Sequence, residues 1–128
     1  MTAGREYTDE VRRLFAAPGH AGNLPEGPGL IHEGEAQALD RGAWVRFAAR
    51  LQDGTISTAR FLAWGCPHFL AACELAASRL EGCAPGAAAG IAPATLSQDL
   101  EVPAEKLGRL LVIEDALREL AAAQARSK

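Results

Sequence analysis

The fold turns on residues 43–63, AWVRFAARLQDGTISTARFLA. From Ala43 to Leu51 the chain alternates: Val45, Phe47, Ala49 and Leu51 point one way, and Trp44, Arg46, Ala48 and Arg50 point the other. That period of two is the pattern of a strand with one face buried. Gln52-Asp53-Gly54-Thr55 follows, and Asp-Gly between two alternating runs signals a hairpin, because both residues tolerate positive φ. Ile56 to Ala63 resumes the alternation with Ala59, Phe61 and Ala63 on one face. These residues predict an antiparallel hairpin inside a small three-stranded sheet.

On the C-terminal side, Trp64-Gly65-Cys66-Pro67 ends the second strand and opens a helix, with Pro67 suited to the first helical position. Leu70, Cys73, Ala77 and Leu80 keep helical spacing, and Gly82 suits the residue just past the end. Residues 84–89 read as a turn, Pro93 to Leu100 as a short helix with Ile91 packed before it, and Pro103 to about Gln124 as a long one. The buried stripe of that last helix is predicted at Leu107, Leu110, Leu117, Leu120 and Ala121. On the N-terminal side, Tyr7 to Ala17 reads as a short helix capped by Thr8, with Val11, Leu14 and Phe15 inward and Pro18-Gly19 closing it. Residues 19–34 read as a Gly/Pro loop with one short edge strand near 28–33. Strands followed by a run of helices argue an α+β fold, with the helices packed on one face of the sheet.

The 128 residues make one domain, 1–128, with flexible ends at about 1–4 and 125–128. At 48% hydrophobic and 23% charged the chain has a globular balance, which excludes disorder over most of its length. The net charge of -3 weighs against a nucleic-acid groove, which needs clustered Lys and Arg. No apolar run approaches the roughly 20 residues that span a bilayer, so no membrane is expected. The polar start MTAGREYTDE carries no export signal. An odd count of three Cys then points to free thiols in a reducing cytoplasm.

Cys66 is the first candidate for chemistry. A helix start offers unpaired N–H groups and the positive end of the dipole, both of which favour a thiolate. The competing reading is a small cap residue without chemistry. Cys73 lies roughly 10 Å further along a helix, beyond the roughly 7 Å Cα limit of a disulfide, and in register with the core residues. Cys83 falls roughly 25 Å away at the far end. No Cys-x-x-Cys pair exists, so the three cysteines act separately. His68 either shares the Cys66 corner as a base or metal ligand or, more commonly at such a position, faces solvent. His20 and His32 lie in the Gly/Pro loop, free to fold over that corner. Asp40, Glu33 and Glu35 are acidic loop residues of the same standing. Arg41, Arg46 and Arg50 mark an exposed strand face. Nucleotide-binding, zinc-protease and esterase motifs are absent from the sequence.

The residues resemble a known family, the IscU/NifU N-terminal iron–sulfur assembly scaffolds. Tyr7, Val11, Phe15, Pro18 and Gly22 follow the family's opening pattern. Asp53-Gly54-Thr55-Ile56, Ala59-Arg60-Phe61 and Trp64-Gly65-Cys66 are similar to its G-x-I, A-R-F and G-C core. Val102-Pro103-Ala104-Glu105-Lys106-Leu107 falls where the family has L-P-P-V-K-L, and Glu114-Asp115-Ala116 matches its A-E-D-A. The resemblance implies the same α+β fold. It also implies three Cys ligands, of which only Cys66 stands here. The first falls at Arg41-Gly42-Ala43 or, in a shifted alignment, at Ala38 with Asp40 as the nearest acid. The third falls at Arg109, with Gly108 in place of the preceding His. Of the chaperone-binding tetrapeptide, Ala104-Glu105 replaces Pro-Val.

Two chemical roles follow from the resemblance. One is a scaffold with a degenerate ligand set, binding an iron–sulfur cluster, or iron or zinc, at Cys66 with His68 and Asp40, and needing none of these to fold. The other is a persulfide carrier like the SufE-type sulfur acceptors, which carry a single reactive Cys in a G-C-x-S loop. One thiol suffices for a persulfide relay. A third role is a non-catalytic protein-interaction module. In none is a conventional enzyme expected. The implied partners are a cysteine desulfurase, a recipient or chaperone protein, and a second copy of the chain as homodimer.

Overall fold

A computed structural model describes residues 8–123 and 126–127. Helix α1 (Asp9–Ala16) leads to strand β1 (Leu30–Ala38), a one-turn 3-10 helix (Leu39–Arg41), β2 (Ala43–Gln52) and β3 (Thr55–Trp64). Helices α2 (Pro67–Leu80), α3 (Pro93–Leu100) and α4 (Leu107–Ala122) follow, with 3-10 turns at Pro85–Gly90 and Ala104–Lys106, and a two-residue strand β4 (Arg126–Ser127). The sheet is antiparallel in the order β3-β2-β1-β4.

The hairpin is where the alternation predicts it, with Asp53 (φ 55°) and Gly54 (φ 82°) making its turn. Its core face presents Val45, Phe47, Ala49, Ile56, Ala59 and Phe61 to the helices. There they meet Phe69, Leu80, Leu110, Ile113, Leu117 and Leu120. Fully burying a side chain of this size contributes about 1.5–3 kcal/mol, so these few residues carry much of the stability. Thr8 caps α1 as expected, accepting a bond from Val11 N at 3.2 Å. Tyr7 and Gln124 lie outside the described residues.

The sequence-based reading needs three corrections. The strand expected near 28–33 runs nine residues, Leu30–Ala38, because its helix-facing residues His32, Gly34, Ala36 and Ala38 are small or polar and hide the usual strand signal. Gly34 lies under α4, and a Cβ there would collide with the backbone of Ala116 and Leu120. The stripe of α4 is Leu110, Val112, Ile113, Ala116, Leu117 and Leu120, while Leu107 is exposed and Ala121 only half-buried, since α4 is preceded by a 3-10 turn that rotates its start. Finally, Arg126 and Ser127, expected to fray, pair with Ile31 and Leu30 of β1.

Two glutamates reach the sheet backbone from the helical layer. Glu81 Oε2 accepts from Ala59 N on β3 at 2.9 Å, and Glu119 Oε1 accepts from Glu35 N on β1 at 2.8 Å. Beyond β3, the segment after α1 adds a parallel bridge between Ala21 and Phe61. Phe61 N donates to His20 O, and Gly22 N donates to Phe61 O. No helix among the described residues is long and apolar enough to cross a membrane.

Candidate functional site

Pairing of Trp44 with Trp64 places the start of β2 beside the end of β3, so the turn at Leu39–Arg41 and the corner at Cys66 share one end of the sheet. Cys66 is the N-cap of α2, extended at φ -75° and ψ 166°, and its carbonyl accepts from Leu70 N at 3.0 Å. The sulfur makes no capping bond and is half-buried. A Cys at this point, with Gly65 before it and Pro67 after it, holds its sulfur at the positive end of the helix.

Helix α4 brings the third element to the same end. Arg109 Nε donates to Arg41 O at 3.1 Å. The Arg41 guanidinium packs so closely on Gly108 that any Cβ at 108 would strike its Nη1. Arg109 and, in the first of the two alignments, Arg41 stand at ligand positions of the family pattern, and these two residues are in contact. Around this end stand the exposed side chains of Leu39, Trp64, Leu107 and Leu111.

The other candidates go elsewhere. His68, expected at the surface, is 1% exposed, because α2 is packed between the sheet and its neighbouring helices and His68 lies with Phe69 on the buried side of its first turn, while Pro67 and Leu70 stay half-exposed. Asp40 is exposed on the 3-10 turn. Among the described residues no three His, Cys, Asp or Glu side chains converge as a metal-holding group, so Cys66, His68 and Asp40 do not form one.

His20 does not fold over Cys66. Its Nδ1 lies 2.5 Å from Glu74 Oε2 and its Nε2 3.1 Å from Glu81 Oε1, while its backbone N donates to Glu74 Oε1 at 2.8 Å. Partial burial alone would lower the His20 pKa, but the bonds to Glu74 and Glu81 and their charges outweigh it and raise it. His32 is buried beneath α4 with Nδ1 3.1 Å from Leu120 O.

Glu33 and Glu35 belong to β1, not to a loop. The Trp44 indole N–H, 2.7 Å from Glu35 Oε2 and backed by Arg46, holds Glu35 below the usual carboxylate range. Arg41 and Arg46 are exposed as expected, whereas Arg50 is only 6% exposed, covered by residues 25–27. Cys73 is fully buried, as its spacing predicts, and burial, with a smaller push from nearby Cys66, drives its thiol well up. Cys83 sits past the far end of α2, donating to Arg79 O at 3.2 Å.

Residues 6–127 match the NifU-like N terminal domain family. The chain belongs to that family. It is similar to the iron-sulfur cluster assembly protein IscU of Plasmodium falciparum, 25% identical over 114 residues, covering 89% of this chain and 70% of that protein. Its fold is similar to that of a putative iron-sulfur cluster assembly scaffold protein for the SUF system from Fervidobacterium islandicum (TM-score 0.68, 13% identity, 94% and 99% of the two chains). It is also similar to the N-terminal part of a NifU-like protein from Brucella abortus (TM-score 0.57, 14% identity, 91% and 95%). Contact between Arg41 and Gly108 was missed by sequence reasoning, although an arginine and a glycine both standing at ligand positions of the family pattern were the available signal.

Proposed function

We propose that this NifU-like domain works in iron–sulfur cluster assembly by carrying sulfur on Cys66. The observation that carries the reading is the composition of the corner: one uncapped thiol, with Arg41 and Arg109 in contact where the family pattern has further sulfur ligands. A single thiolate does not complete the roughly four-ligand shell of a cluster iron. It does suffice for sulfur transfer. The Cys66 thiolate attacks the outer sulfur of a donor persulfide, R–S–SH. The donor S–S bond breaks, a new S–S bond forms, and the donor leaves as the thiolate R–S⁻, with no net oxidation. Guanidinium charge at the same end favours the anionic sulfur species.

The donor is a cysteine desulfurase and the acceptor an assembly or recipient protein, meeting this end through the apolar side chains of Leu39, Trp64, Leu107 and Leu111. The setting is a reducing compartment, the cytoplasm, consistent with three free thiols. That same apolar rim favours a second reading, a scaffold whose missing ligands come from a partner chain or a second copy.

The test is intact mass after incubation with a cysteine desulfurase and free cysteine, followed by peptide mapping. A reductant-labile gain of one sulfur atom on Cys66 alone is the expected result. No gain, with colour developing on anaerobic addition of iron and sulfide in the presence of a partner, would replace sulfur transfer by the scaffold reading.

A further inference from the structure

Strand β3 is an edge of the sheet, and its outward backbone groups are covered only as far as Phe61. In an antiparallel ladder alternate residues turn their N–H and C=O toward the partner strand or away from it. Phe61 bonds outward, to His20 O and from Gly22 N. Ala63, two residues on and opposite Val45 in the ladder, therefore also turns its N–H and C=O outward. Neither group has a hydrogen-bond partner among the described residues.

Beside that open pair lies an apolar hollow of about 200 Å³, lined by Phe15 of α1, Pro18 just after it, Ala21, Phe61 and Ala63 of β3, and Leu70 of α2. No charged side chain lines it, and Phe15 on its rim is 46% exposed. It is smaller than the roughly 300 Å³ at which small-molecule pockets begin, so it suits one apolar side chain rather than a free ligand. Directly opposed residues of neighbouring strands share a face, so a residue paired with Ala63 would aim its side chain toward this hollow. The neighbouring stretch of the edge shows what it takes: residues 20–22 of the chain's own backbone add to β3 through the parallel bridge of Ala21 and Phe61. An open donor and acceptor two residues further, with an apolar hollow beside them, are what strand addition by an extended peptide requires.

Ala63 is three residues from Cys66, about 10 Å along an extended chain at about 3.3 Å per residue. A segment laid on Ala63 thus lies within reach of the sulfur. We propose that the sulfur-donor protein docks by adding an extended segment to β3 at Ala63, with one apolar side chain in the hollow. That the partner is a sulfur donor rests on the proposed function, whereas the open edge and the hollow do not.

Amide hydrogen exchange tests the docking apart from the chemistry, with the full chain carrying Cys66→Ser and a cysteine desulfurase as the probe. The Ala63 N–H is expected to exchange fast in the free protein and to slow at least about tenfold when the desulfurase is added. Sulfur loading of the chain with Cys66 intact gives the second readout. Ala63→Pro removes the outward N–H at an edge position, where proline is tolerated, and spares the bonds to β2. Phe15→Asp leaves the backbone alone and puts a charge on the rim. Each should cut desulfurase-driven loading of Cys66 at least about tenfold, while loading by sodium tetrasulfide, which needs no docking, stays unchanged. Slowed exchange without any loading of the wild type would remove the sulfur reading and keep the docking surface. The proposal is overturned by an Ala63 N–H that stays fast with the desulfurase present, or by undiminished loading of a folded Ala63→Pro or Phe15→Asp variant. Slowing that follows the concentration of this chain alone would also overturn it, making the edge a contact between two copies.

Discussion

The two ends of α2 use their polar residues in opposite ways. At the C-terminal half, Glu74 and Glu81 close on both nitrogens of His20, and Glu81 also takes the Ala59 N–H. At the N-terminal end, Cys66 makes no side-chain capping bond, and the same end of the sheet carries Arg41 and, from α4, Arg109. A group whose hydrogen-bonding capacity is used up inside the fold stabilises the fold. A group held in place by its backbone, with its reactive atom unengaged, is available to an outside molecule. Under the proposed function the contrast puts structure at one end and chemistry at the other, and the variants below test that division.

Cys66→Ser should abolish sulfur loading from a desulfurase altogether while changing the unfolding free energy measured in urea by less than about 1 kcal/mol. Loading that survives this change would remove chemistry from the N-terminal end. Glu74→Gln is the converse: Glu74 is 5% exposed and bonds both the backbone N and the Nδ1 of His20, so its loss should cost about 2 kcal/mol of stability with loading unaffected.

The same clamp sets a pH dependence. The folded pKa of His20 is raised, so its contribution is complete below the unfolded value of about 6.5 and is lost as pH rises through the folded one. The stability difference between wild type and His20→Gln should therefore shrink with rising pH. A difference that grows would overturn the clamp. Cys73→Ala, which removes one buried sulfur, should cost only about 1 kcal/mol and leave loading intact. Smallest of all, Gly108→Ala should cost less than about 0.5 kcal/mol, because the atom it meets is the tip of the flexible Arg41 side chain. Its interest is the displaced guanidinium, which should slow sulfur loading measurably.

The hairpin and the Cys66 corner were legible because their signals are local: alternation around Asp53-Gly54, and a Gly-Cys-Pro junction where period two gives way to helical spacing. What escaped was decided by partners distant in the chain. His20 meets Glu74 and Glu81, 54 and 61 residues away, and no pattern near His20 announces them. Arg50 obeys the strand alternation and points away from the core, yet it is buried because a loop more than twenty residues earlier crosses over it. Likewise, β1 was read short because Gly34, a strand-breaker in isolation, is what lets α4 approach. His68 sits at a helical position that is exposed on a lone helix and enclosed on this crowded one.

The two glutamates that bond the sheet from the helical layer also govern how this protein behaves at high concentration. An open strand edge invites pairing with another molecule and, through it, aggregation. On β3 the outward groups from Ile56 to Phe61 are taken in turn by Cys83 and Gly82, by Glu81, and by His20 and Gly22. On β1, Glu119 takes the Glu35 N–H beyond the two residues that β4 covers. Glu81 and Glu119 thus serve as edge guards, and because one of them also holds His20, loss of the clamp would expose β3 to strand exchange between molecules.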